Sequence, residues 1–319
     1  MKALRFTGGR LSVDEIDPPF AGSEALIRVV MSGICNTDIE IVRGYAGFSG
    51  TIGHEFVGIV EELADRTDLI GKRVVGEINA GCGVCANCVG GDPRHCPSRT
   101  VLGIVGRDGA HAEFLRLPAE NLVVVPDNVS NEQAVFAEPL AAAWGIREMA
   151  DIKRDTRLAV IGDGKLGLLC AMSLRLVSDN VISIGKHRSK LDIASAADIE
   201  TMLVDEITGS LNGSFDVVVE ASGSESGFAT ALDLVRPRGT IVLKSTFHGT
   251  PTWNASRVVV NEISVVGSRC GRFAPAVDLL ESGRIDVTRL IGGKMPLSDG
   301  VSAMGEASKK GALKILLAP

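Results

Sequence analysis

From Arg157 to Ser268 short apolar runs alternate with amphipathic ones, and this alternation restricts the fold more than any other feature of the chain. RLAVIGDG reads as a strand and turn, KLGLLCAMSLRLV as a helix, NVISIGK as a strand and SKLDIASAAD as a helix. FDVVVEASG, SGFATALDLV, GTIVLKS and EISVVGS continue as strand, helix, strand and strand. Such a series folds as βαβ units into a doubly wound parallel sheet with helices on both faces. Between the first strand and the first helix, Gly162, Gly164 and Gly167 form GDGKLG. In that setting the first glycine makes a tight turn, the second lets backbone approach a pyrophosphate, and the third lets helix and strand pack closely. Lys165 and Leu166 open the helix, whose N-terminus favours negative charge. A dinucleotide is therefore the expected ligand of this Rossmann-type half. Ser222 and Gly223 in EASGS, Ser245 in LKSTF, and Gly267 with Ser268 in VVGSR end later strands and are further candidates for cofactor contact.

Upstream the texture differs. ALIRVVMSGI, EFVGIVEEL, KRVVGEI, AEFLRL and LVVVP are short β-type runs broken by Gly, Pro and Asp, as in a barrel or sandwich. NEQAVFAEPLAAAWGIREMADI then reads as one or two helices despite Pro139. With 319 residues the chain exceeds one hydrophobic core. The tail, FAPAVDLLESGRID and MPLSDGVSAMGEASKKGALKILLAP, predicts two helices and a closing strand that return to the first domain. The expected division is 1–141 with 270–319 for the β-rich domain and 142–269 for the dinucleotide domain, an α/β protein overall. A net charge of −6 opposes a nucleic-acid partner, and no apolar stretch is long enough to span a bilayer. The expected compartment is the cytoplasm, where seven cysteines serve as metal ligands or packed thiols rather than disulfides.

Cys82, Cys85, Cys88 and Cys96 lie in GCGVCANCVGGDPRHC. Their spacing lets a Gly-rich lobe fold back and present four thiolates tetrahedrally, which is a closed, structural Zn²⁺ site. The metal would contribute folding energy directly, because the lobe has little apolar content. Neither ferredoxin spacing matches, so an iron–sulfur cluster is not expected. The lobe also carries one Arg, no Lys and no aromatic residue, a poor surface for nucleic acid.

A second donor set is scattered. Cys35 sits in SGICNTDIEIVRG, His54 and Glu55 in IGHEFVG, and Glu138 in AEPLA at the domain junction. Cys, His and a carboxylate suit zinc and can leave a position open. Taken in order with the cysteine lobe and the glycine turn, these motifs identify a resemblance to the medium-chain zinc-dependent dehydrogenases, over essentially the whole length. That superfamily includes alcohol, sorbitol, threonine and archaeal glucose dehydrogenases, and the resemblance implies a GroES-like catalytic domain joined to a Rossmann domain.

The resemblance implies that Cys35 and His54 ligate a catalytic zinc, with Glu55 or Glu138 completing the set directly or through water. It makes Thr37 the hydroxyl that contacts the substrate oxygen and starts a proton relay, and Asp38 a residue orienting the ligands. Glu40 stands where many relatives carry a relay His; a carboxylate could serve there, and CNTDIEIVRG is similar to the archaeal glucose dehydrogenases. At the end of the second Rossmann strand, where an NAD enzyme carries Asp or Glu, the family register places Gly185, followed by Lys186, His187 and Arg188. Without the acid, a 2′-phosphate meets less repulsion and more positive charge, so NADP(H) is the expected cofactor and NAD(H) the alternative. The implied reaction is hydride transfer between a secondary alcohol, polyol or sugar and the nicotinamide, by a homodimer or homotetramer. The rival reading is a zinc- and dinucleotide-binding sensor without turnover. His111 and Cys170 are expected to be structural, Cys270 to be packed, and His248 has no evident partner.

Overall fold

The computed structural model describes residues 1–246 and 254–319; His248 lies outside them. The chain forms two compact units, Met1–Glu138 with Phe273–Pro319, and Pro139–Arg272. The division falls within the helix Ala137–Trp144 rather than in a loop.

The unit Pro139–Arg272 is built on a six-stranded parallel sheet. Across the sheet the strands run Glu200–Leu203, Asn180–Gly185, Arg157–Ile161, Phe215–Glu220, Val235–Leu243 and Ser264–Gly267. The chain thus winds outward from Arg157–Ile161 in one direction and then in the other, the doubly wound arrangement inferred from the alternation. Ligands of such sheets sit at the carboxyl ends of the strands, where the winding reverses. Glu200–Leu203 is an added strand: its four residues, ETML, are too few and too mixed to show a period. The central strands are continuous apolar runs because both of their faces are covered. Ile161, Ile184, Val218, Phe228, Leu232 and Ile241 pack into one core.

The glycine turn shows why small residues are needed there. Gly162 has φ +124°, a conformation side chains rarely adopt. A methyl group on Gly167 would overlap the carbonyl oxygen of Gly162, whereas one on Gly164 would enter open space at an ordinary φ of −76°. Gly167→Ala is therefore expected to lower unfolding stability by about 1–3 kcal/mol. Gly164→Ala should leave the thermal midpoint unchanged; equal midpoints for the two variants would contradict this account.

The other unit is organised by the nine-residue strand Ala25–Gly33, which pairs with Glu55–Glu62, Phe114–Leu117 and Lys314–Ala318. These belong to a seven-stranded sheet completed by Arg73–Gly76, Leu122–Val124 and Ile291–Pro296. The C-terminal strand lies antiparallel beside Ala25–Gly33, with Leu316 opposite Gly33 and Leu317 opposite Ser32. Ile291–Pro296, IGGKMP, is a strand that its two glycines and proline conceal. A hairpin of Lys2–Thr7 and Arg10–Glu15 and the helix Gly300–Ala307 border a core of Leu4, Ile34, Ile41, Ile52, Met304 and Leu317. Among the described residues, no helix is long and apolar enough to cross a membrane.

Candidate metal centres and dinucleotide turn

The four-cysteine lobe is short helix and turn: Ala86–Val89 begins after Cys85, and a 3₁₀ turn, Pro93–His95, delivers Cys96. The four sulfurs lie within 4.8 Å of one another, and Cys85 Sγ is 3.6 Å from Cys88 Sγ. Sulfurs bound tetrahedrally at zinc–sulfur lengths of about 2.3 Å stand about 3.8 Å apart. Backbone N–H groups of Val84 and Cys85 pull the Cys82 thiol down to about 6, and the Cys82 N–H donates to Cys96 Sγ at 3.4 Å. Loss of solvent and the neighbouring thiols push Cys88 up to about 11. Thiolates this close need a cation among them, so the cluster fits zinc. His95 is exposed and outside the cluster.

The second centre comes from adjacent strand ends. Gly33 pairs with Glu55, which sets the residues after one strand beside the residues that open the other. Cys35 Sγ, an imidazole nitrogen of His54 and a carboxylate oxygen of Glu55 all lie within 4.8 Å of one another. Glu138 is outside that set. Burial pushes its carboxyl up to about 7, with the charge of Glu55 adding to the rise and those of His54 and Lys314 opposing it.

Cys35 does not sit in a simple turn: it caps the helix Asn36–Val42, and its N–H donates to Asp38 Oδ2 at 2.8 Å. Asp38 is fully buried, with Oδ1 3.3 Å from His54 Nδ1 and Oδ2 3.5 Å from His111 Nε2. Burial opposes its ionisation, yet the two imidazoles hold its carboxyl well below the usual range. By facing Nδ1, Asp38 leaves the other His54 nitrogen for a ligand. Ser32 Oγ lies 2.8 Å from His111 Nδ1, so His111 belongs to the same buried network. Thr37 Oγ1 is 3.8 Å from Cys35 Sγ. Glu40, three residues on and along the same helix face, accepts from Arg43 Nη1 at 2.8 Å.

Sequence reasoning missed Lys314. Its side chain, 2% exposed, forms an ion pair with Glu55 Oε2, and its ammonium lies 5.7 Å from the ring centroid of Phe136. Gly33 provides the room: a methyl there would stand 2.7 Å from both Glu55 Oε2 and Val135 Cγ1. Glu55 Oε1 is buried without a hydrogen-bond partner among the described residues. An orphaned carboxylate oxygen beside a thiol and an imidazole is a donor set suited to a divalent cation.

At the glycine turn the Gly162 N–H donates to Ile184 O at 2.8 Å, and Gly164 caps the helix Lys165–Arg175, whose first residues are Lys165 and Leu166. The open space at Gly164 leaves that helix end approachable by a phosphate. The structure corrects one premise. The end of the second strand does not lack an acid, because Asp163 reaches over Gly185 from the turn. Asp163 Oδ2 accepts from the N–H groups of Lys186 at 2.7 Å and His187 at 2.6 Å, and lies 2.9 Å from His187 Nδ1. Arg188 is held by Glu206 at 2.6 Å, on the surface.

Two family models match. "Alcohol dehydrogenase GroES-like domain" covers residues 21–127 and "Zinc-binding dehydrogenase" covers 166–282. A sorbitol dehydrogenase from Halalkalibacterium halodurans is 30% identical across 100% of this chain and 99% of its own. The chain belongs to the medium-chain zinc-dependent alcohol and polyol dehydrogenases. It is an enzyme of that family, with a GroES-like unit and a Rossmann unit. Two solved relatives share its fold closely. A Sinorhizobium meliloti protein described as a zinc-binding dehydrogenase, bound to NADP, has 28% identity and a TM-score of 0.91, covering 100% of this chain and 99% of its own. An Escherichia coli protein described as a short chain alcohol dehydrogenase, complexed with NADH, has 26% identity and a TM-score of 0.91, with the same coverage.

The remaining cofactor candidates of this dehydrogenase are tied by two buried groups, Lys244 of the LKSTF tract and Glu220, the second of which sequence reasoning missed. Glu220 Oε1 accepts from the N–H of Ser222 at 2.8 Å and from its hydroxyl at 2.5 Å, while Oε2 accepts from Ser245 Oγ at 2.5 Å. The Gly223 N–H donates to Ser245 Oγ at 2.9 Å, so the ends of two neighbouring strands are stitched together. Lys244 donates to Ser268 O at 3.0 Å, Ser268 Oγ at 3.3 Å and Arg269 O at 3.1 Å, anchoring the segment after Gly267. Cys170 is buried in the first helix, which pushes its thiol up to about 12 and makes it inert. Cys270 is half-buried.

Proposed function

We propose that this dehydrogenase transfers a hydride between a polyol, sugar or secondary-alcohol hydroxyl and NADP(H), with NAD(H) also accepted. The observation that carries the reading is the donor set of Cys35, His54 and Glu55, with one buried Glu55 oxygen left unpaired. Zinc held there supplies a Lewis acid that lowers the pKa of a bound hydroxyl, and the nicotinamide supplies the hydride acceptor. Cys35 and His54 hold the ion, Glu55 offers its free oxygen, and Glu138 stands nearby as a further carboxyl. Asp38 fixes the orientation of His54. The Thr37 hydroxyl takes the substrate proton and Glu40 passes it on, since both project from one helix face. Cys82, Cys85, Cys88 and Cys96 hold a second, structural zinc. Lys186 and Arg188 meet the 2′-phosphate, while Gly164, Ser222, Gly223, Ser245, Gly267 and Ser268 line the cofactor's path. Ser264–Gly267 lies at the sheet edge, so pairing with the same strand of a second copy offers a route to a dimer or tetramer.

A panel of polyols, sugars and secondary alcohols, assayed with NAD and NADP before and after chelation, tests the reading. Oxidation of polyhydroxylated substrates should vanish on chelation and return with zinc. No turnover of any member by the zinc-loaded protein would leave only a binding role.

A further inference from the structure

We infer that Asp163, projecting from the glycine turn, sets the choice between NAD(H) and NADP(H) in place of the residue at the end of the second strand. The inference rests on the reading that this turn takes a nicotinamide dinucleotide. Asp163 and a side chain at 185 compete for one space: a Cβ on Gly185 would lie 2.5 Å from Asp163 Cβ and 2.7 Å from Asp163 Oδ2. Glycine at 185 is therefore the room that Asp163 requires. Only one of the two positions can present a carboxylate here, and this chain presents it from the turn.

The carboxylate is firmly seated. Oδ2 takes the two N–H groups of Lys186 and His187 and faces the His187 ring, and the side chain is 10% exposed. These donors, with Lys190, keep it ionised against the cost of burial. Two consequences follow for a bound adenosine ribose. The backbone N–H groups after the strand are committed to Asp163 and cannot bind a 2′-phosphate. Oδ1 has no hydrogen bond among the described residues, its nearest cation being Lys190 Nζ at 3.8 Å, so it can accept a ribose hydroxyl and repel a phosphate. Lys186 and Arg188 act in the opposite sense, and the preference of the protein is the balance of the two. Asp163 is the element that favours NAD(H).

Asp163→Asn keeps the size and an acceptor for the backbone donors while removing the charge. Dissociation constants of NADH and NADPH, read from nicotinamide fluorescence on the zinc-loaded protein without substrate, give the selectivity directly. The ratio Kd(NADPH)/Kd(NADH) should fall about tenfold, the worth of one charge-assisted hydrogen bond. A ratio equal to wild type would overturn the inference. The double variant Asp163→Gly/Gly185→Asp returns the carboxylate to the strand and should recover the wild-type ratio. Selectivity resembling Asp163→Asn in that variant would show that the two positions are not interchangeable, also against the inference. Wild-type protein that binds neither nucleotide would instead defeat the dinucleotide reading itself.

Discussion

Cys35→Ser is expected to lower kcat/KM by about three orders of magnitude, with almost no loss of stability when both proteins are compared in chelator. A serine hydroxyl at this position is neutral near pH 7 and a poor zinc ligand, so the ion next to His54 and Glu55 should be lost or bound weakly. The backbone should not suffer. Cys35 caps the helix Asn36–Val42, its N–H is held by Asp38, and serine is among the best capping residues. The variant therefore separates chemistry from folding. Metal analysis should show about one zinc fewer per chain, because the four-cysteine lobe is untouched. A Cys35→Ser protein with full zinc content and full activity would remove Cys35 from the ligand set.

The features legible in the sequence were those whose partners are close along the chain. The alternation after Arg157 and the GDGKLG turn give the parallel sheet, because each βαβ unit carries its own period. The lobe from Cys82 to Cys96 is equally local, and its sulfurs do converge. The features that escaped depend on register between distant segments. Lys314 reaches Glu55 only because the C-terminal strand lies beside Ala25–Gly33, and a lysine opening KILLA looks like an ordinary exposed charge. Asp163 illustrates a subtler failure. Gly185 stands where an acid is expected, but a glycine also makes space, and what fills the space is not written next to it. Glu138 is the intermediate case: the sequence placed it with Cys35 and His54, whereas the structure keeps it within electrostatic range but outside the cluster of ligand atoms. Ile291–Pro296 shows that a strand pairing at a sheet edge can lack every local signal.

Lys314→Met should be the most damaging single change away from the proposed ligands. The ammonium and the Glu55 carboxylate are both buried, with side chains 2% and 0% exposed. Removing one member of such a pair leaves an uncompensated charge and costs about 3–5 kcal/mol, whereas replacing both by neutral groups is often tolerated. Methionine fills a similar volume, so the loss reflects charge more than packing. The cation also lies over Phe136, but that contact at 5.7 Å is the smaller contribution. Glu55 offers its other oxygen to the zinc site, so a bound ion should share in compensating the carboxylate. Urea melts of wild type and variant are then expected to differ more in chelator than in excess zinc, because the ion stabilises the folded state in which Glu55 has lost its lysine. Adding Glu55→Gln to Lys314→Met should recover much of the stability in chelator but none of the metal-dependent activity. If Lys314→Met unfolds at the wild-type urea midpoint under both conditions, the ammonium is not what makes a buried Glu55 tolerable.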